Sequence, residues 1–168
     1  MGMVAGIATG AWAKDLTTKA NETKAEFLEK DGSLKDVFDK AAGYTIFPSV
    51  AKGALGVGAA TGKGVLFEKG KAKPSGETKL TQVTIGFQAG GQAYAEIVLF
   101  EDQTSLDNFK KGNFEFSAQA SAVAVTAGAG ATAKYEKGVM ILTMAKGGLM
   151  YEASVGGQKF KYKAYKGS

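Results

Sequence analysis

The residue types that most often do chemistry are scarce in this chain. Its 168 residues contain no His and no Cys. That removes the commonest general base and metal ligand, together with thiol nucleophiles, zinc–thiolate sites and disulfides. The serines have no candidate base beside them, so nucleophilic catalysis has no visible machinery. Glycosidase-type acid–base work needs two carboxylates in one cleft. The 16 acidic residues instead sit mostly among lysines in helices and turns. Glu96 and Glu152 fall inside apolar strands, and each is expected on the solvent face of its strand. The chain is therefore expected to be no enzyme and to carry no cofactor or metal.

What remains is positive charge. The net charge is +5, and all 21 basic residues are Lys. Arg reads bases and carboxylates through a planar fork, whereas Lys is a flexible point charge. An Arg-free chain is a poor candidate for specific nucleic-acid recognition. Attraction to an anionic surface, whether phosphate backbone or lipid headgroup, fits it better. A basic surface that merely maintains solubility is the plain alternative. The aromatic residues Tyr94, Phe100, Phe114, Phe116, Tyr151, Phe160, Tyr162 and Tyr165 are spread over different strands and are read as core, not as a base-stacking platform.

Glycine is the second outlier, at 24 residues, about twice the usual share of roughly 7%. It is densest between Gly53 and Gly64. The spacing misses the nucleotide P-loop, because Gly58 to Lys63 is one residue short and Gly64 stands where Ser or Thr would bind magnesium. It also misses the dinucleotide fingerprint, since no helical pattern follows Gly56-Val57-Gly58. A glycine-rich hairpin in a tightly packed sheet is the better reading.

The elements around these residues are legible. Asp15 is placed to cap a helix from Leu16 to about Lys30, which Asp31-Gly32 breaks. Ser33, with Asp36 as capping-box partner, opens a second helix carrying Leu34, Val37, Phe38, Ala41 and Ala42 on one face, and Gly43 ends it. The period then changes to two. Strands are expected at Tyr44–Phe47, Ala54–Ala60, Lys63–Lys69, Thr81–Phe87, Ala93–Leu99, Phe114–Thr126, Val139–Met144 and Leu149–Val155. A short helix capped by Thr104 and Asp107 interrupts them. The last strand alternates Lys159, Lys161 and Lys163 with Phe160 and Tyr162, a pattern that guards a sheet edge. The fold class is α+β: a mainly antiparallel β sandwich or barrel-like body, capped by N-terminal helices. Expected core residues are Ile46, Phe47, Val57, Val65, Ile85, Phe87, Ile97, Leu99, Leu142 and Leu149.

Residues 1–13 are apolar, small-residue-rich and uncharged, and end in Ala11-Trp12-Ala13, like a signal-peptidase site. They read as the remnant of a signal peptide or as an apolar N-terminal segment, with residues 14–166 forming a single domain.

Four blocks in order carry a family likeness. They are Gly43-Tyr44-Thr45-Ile46-Phe47-Pro48 leading through Lys52-Gly53 into the glycine ladder, Thr84 to Gly91, Ile97-Val98-Leu99-Phe100 with Leu106 and Phe109, and Lys146-Gly147-Gly148-Leu149 with Ser154. Together they resemble the signature of the SYLF lipid-binding domains, over roughly Leu34 to Tyr162. Glu152 departs from the pattern, standing where relatives usually carry Gly. The resemblance implies a module that binds phosphoinositides and other anionic phospholipids at a membrane surface. Eukaryotic members associate with actin and endocytic membranes, and stand-alone bacterial members are mostly exported or envelope proteins, as this one is then expected to be. A protein-interaction or scaffolding role in the envelope is the alternative. The lysines nearest the signature are Lys52 and Lys63, flanking the ladder, and Lys146 sits in a similar Lys-Gly-Gly turn. All three are candidate lipid-binding residues, with solvated turn residues as the competing reading.

Overall fold

The computed structural model describes residues 4–52, 59–83, 94–111, 115–116, 122–125, 133–145 and 158–166. Two helices lead, α1 (Val4–Lys30) and α2 (Leu34–Lys40), followed by β1 (Gly43–Lys52), β2 (Ala59–Glu68), β3 (Gly76–Val83) and β4 (Tyr94–Phe100). Helix α3 (Gln103–Lys110) precedes β5 (Glu115–Phe116), β6 (Ala122–Ala124), β7 (Val139–Ala145) and β8 (Gln158–Ala164). The strands form one sheet in the order β5-β8-β3-β2-β1-β4-β7-β6. All pairings are antiparallel except β6 on β7. The expected α+β class and antiparallel body are as observed, in the form of a single sheet.

The sheet is curled. Laid flat, β8 and β4 would lie about 19 Å apart, four strand spacings. Yet Gln158 on β8 donates a hydrogen bond to Glu96 on β4 at 2.8 Å, and the rings of Phe47 on β1 and Phe160 on β8 are 5.9 Å apart. Chain length requires the same curvature. The six steps from Phe116 on one edge to Ala122 on the other span at most about 22 Å, whereas a flat sheet would hold those edges about 34 Å apart. Among the described residues the outcome is barrel-like but not closed.

Curling divides the core in two. Inside lie Phe47, Leu66, Leu80, Val98, Phe100, Ile141 and Phe160, with Leu106 and Phe109 contributed by α3. Outside, Ile46, Val65, Ile97, Leu99, Met140 and Leu142 are covered by Ala20, Phe27, Leu34 and Phe38 of the N-terminal helices. Period-two alternation sorts the strand residues between these faces. Six of the ten expected core residues (Ile46, Phe47, Val65, Ile97, Leu99 and Leu142) are fully buried; Val57, Ile85, Phe87 and Leu149 lie outside the described residues.

Several expected boundaries are corrected. Helix α1 runs unbroken through Asp15, whose carboxylate pairs with Lys19 one turn on at 3.3 Å instead of capping. Ser33 makes no side-chain cap; Asp31 accepts from both its N–H and its hydroxyl. The cap of α3 is Asp102, not Thr104, through the Ser105 N–H. Strand β1 does not stop at Phe47. Pro48 lacks the N–H that a central strand needs, and the register shifts on both sides of it, so a bulge carries the strand on to Lys52. The expected Phe114–Thr126 strand is divided: Glu115–Phe116 pairs with β8 and Ala122–Ala124 with β7, at opposite edges of the sheet. The hairpin expected over Leu149–Val155 lies outside the described residues.

Candidate functional site

Helix α1 lies against β1 and β2, so the outer face farther along the sheet, over β3 and β8, carries polar residues. Register places Lys63 on β2 opposite Lys79 on β3, and Lys79 opposite Lys161 on β8. All three side chains are exposed. Neighbouring rows of the same face read Thr61, Thr81, Lys159 and Val65, Glu77, Lys163. Five lysines thus share a patch three strands wide, with Glu77 on β3 within those rows and Glu115 on β5 in register with Lys159. Side chains directly opposite in an antiparallel pair have Cβ atoms about 5 Å apart, and like charges there are destabilising. A row of three directly opposed ammonium groups runs against sheet stability.

Lysines elsewhere pair with acids and aromatic rings. Lys110 and Lys71 reach Glu68 at 2.9 and 3.6 Å, and Lys35 pairs with Asp39 at 3.0 Å. Lys24 donates to the Tyr44 hydroxyl at 2.7 Å and lies about 5 Å from the Phe38 and Tyr44 ring centres. It lines an open groove of about 370 Å³ with Tyr44, Phe67, Lys69 and Lys71.

The sequence candidates fare unequally. Lys63 lies at the start of the lysine row. Lys52 ends β1, in register with Ala60 and not with Lys63. Lys146 lies outside the described residues, as do Gly53 to Gly58. At the described end of the ladder, a Cβ on Gly62 would come within 2.7 Å of the Ser49 carbonyl oxygen, and one on Gly64 would collide with that of Ile46. There the glycines admit the neighbouring strand of the protein itself. Lys79 was missed because its row is built by register, which pairs residues from distant parts of the chain.

Glu96 corrects a second expectation: it is fully buried, not on a solvent face. Its Oε1 accepts from Gln158, while its Oε2 has no hydrogen-bond partner. Burial pushes the carboxyl up to about 8, against the lowering effect of the Gln158 bond. The signal was present in Tyr94–Phe100, where every residue is buried; apolar neighbours on both faces leave an acid no solvent side. Glu152 lies outside the described residues.

Among the described residues no cluster of three metal-ligating side chains occurs, and no helix is long and apolar enough to cross a membrane. Comparison with known proteins gives two matches. Residues 81–165 match the family described as Ysc84, Las17-binding protein actin regulator. Beta cell expansion factor A of Aeromonas veronii is 31% identical over 147 residues, 86% of this chain and 55% of that protein. The chain thus spans about half the length of that relative. The family match begins inside β3, after Lys79, and runs just past the end of β8, so it includes Lys159, Lys161 and Lys163 but neither Lys63 nor Lys79; by it the chain belongs to the Ysc84, or SYLF, family.

Proposed function

We propose that this chain is a peripheral, non-catalytic binding module that docks on anionic phospholipid headgroups, phosphoinositides included, through lysines. The observation that carries the reading is the row Lys63, Lys79 and Lys161, flanked by Lys159 and Lys163. The exposed outer face of the curled sheet presents these lysines together toward a surface of negative charge. Each lysine near such a surface contributes on the order of 1 kcal/mol. Lys52 and Lys146 remain candidates for the same surface, and an exported protein peripheral to a membrane is the setting the reading implies.

Co-sedimentation with vesicles of increasing anionic lipid content tests it. Bound fraction is expected to grow with negative charge and to fall as salt rises toward a Debye length of about 3 Å at 1 M. The family description, which names an actin regulator, favours a second reading as a protein-interaction domain. Binding to neutral and anionic vesicles alike, or to neither, would shift the assignment to that reading.

A further inference from the structure

We propose that Glu96 and Gln158 form a proton-sensitive clasp, which holds the curled sheet shut when Glu96 is neutral and releases it when Glu96 ionises. The geometry points to a clasp because the 2.8 Å bond joins β8 to β4, strands that three others separate in the sheet. It crosses the interior of the curl, and both residues are fully buried. Glu96 is fully buried, and so is Thr143, which stands directly opposite it on β7. Neither Glu96 Oε2 nor Thr143 Oγ1 has a hydrogen-bond partner.

The neutral acid tolerates this setting, but a carboxylate does not. An ionised group with one unpartnered oxygen in an apolar interior carries a large desolvation cost. Parting β8 from β4 lets water reach Oε2 and removes that cost. Around Glu96, β1 presents Phe47, β7 presents Thr143 and β8 presents Gln158. Tyr94 is the titratable neighbour, and burial followed by the Glu96 charge pushes its hydroxyl well above the usual range, so it stays neutral. The lysines of β8 are exposed. Among the described residues no cation faces the carboxyl to hold it ionised.

The sign follows from the shift. The closed state holds the Glu96 proton up to about pH 8, whereas an opened, hydrated Glu96 loses it near the ordinary 4.5. The open-to-closed ratio therefore rises by up to about tenfold per pH unit between about 5 and 7.5, and levels off above about 8. Opening exposes the phenylalanine-lined interior.

The test uses the whole chain and Nile red, an uncharged dye that brightens on apolar surface. Wild-type dye binding is expected to climb with pH over that window while the far-UV circular dichroism holds steady, and Glu96→Gln is expected to stay flat. Identical pH profiles for the two proteins, or loss of the dichroism in step with dye binding, would overturn the clasp. A carbon-13 titration of the wild-type Glu96 carboxyl gives a second readout that needs no variant. A midpoint raised well above 4.5 but below about 8 supports the proposal, because opening pulls the titration below the closed-state value; one near 4.5 sinks it.

Discussion

At the scale of single residues, Gly64 shows what the glycine ladder is for. A methyl group there would collide with the Ile46 carbonyl oxygen and meet the Phe47 ring at 2.8 Å. The first contact is backbone and cannot rotate away. Across this same strand the hydroxyls of Thr45 on β1 and Thr78 on β3 meet at 2.6 Å, both buried. Gly64→Ala is therefore expected to destabilise the fold by about 1–3 kcal/mol, as overpacking does. Gly32→Ala, with nothing within 4 Å of the added carbon, should leave stability near wild type. Urea midpoints of the two variants decide it, and equal midpoints would make the close approach irrelevant. The sequence showed that glycines were wanted here, because alternation with apolar residues implies close packing. It did not show which backbone approaches them. That depends on the bulge at Pro48, a compromise between a missing N–H and a strand otherwise stabilised on both sides.

At the scale of elements, the helices were found by periodicity while their caps were misassigned, since a cap depends on backbone angles that composition does not report. Asp31, buried between α1 and α2, accepts from both the N–H and the hydroxyl of Ser33, which turns that hydroxyl toward Asp31 instead of toward the first amides of α2. Helix α3 is also tied down by a contact between distant residues: Lys110 donates to Glu68 at the end of β2 at 2.9 Å. Burial pushes the Glu68 carboxyl up, but the hydrogen bonds from Lys110 and Ser75, with the Lys110 and Lys71 charges, hold it below its ordinary 4.5. A depressed carboxyl stabilises the fold above 4.5 and loses that contribution as pH falls through the folded value. Lys110→Met keeps apolar contact near Tyr162 but removes the donor. It should cost about 1 kcal/mol at neutral pH, partial exposure of Lys110 limiting the figure. The gap between the two proteins should narrow below about pH 4. Thermal melts at pH 7 and pH 3 read both effects, and a gap that does not change with pH would mean that Glu68 is not the partner that matters.

At the scale of the whole molecule, curvature and register decide what the lysines can do together. The class of fold was legible because strand alternation and short turns leave few antiparallel arrangements. The curl was not, since it arises from contacts such as Phe47 with Phe160 that reach across two intervening strands. The candidate site was half legible. Lys63 was singled out for its neighbours in the chain, but the structure sets it beside Lys79 and Lys161, its neighbours in the sheet. Lys159 and Lys163 share that face, so they are unsuitable as a control. A sound comparison replaces Lys63, Lys79 and Lys161 with Gln in one protein and exposed Lys30, Lys40 and Lys111 in another. Both lose the same net charge. If the face docks, the first loses up to about 100-fold in affinity for anionic vesicles, at roughly 1 kcal/mol per lysine, and the second loses much less. The first should also melt higher than wild type, because removing directly opposed like charges relieves a repulsion of a few tenths of a kcal/mol per pair. A third protein carrying Lys52→Gln and Lys146→Gln measures whether the ladder's flanks add to that surface. Opposite signs for binding and stability in the row variant would mark the row as selected for its partner. Equal binding losses in the row and control proteins would mean that net charge alone draws the molecule to the membrane.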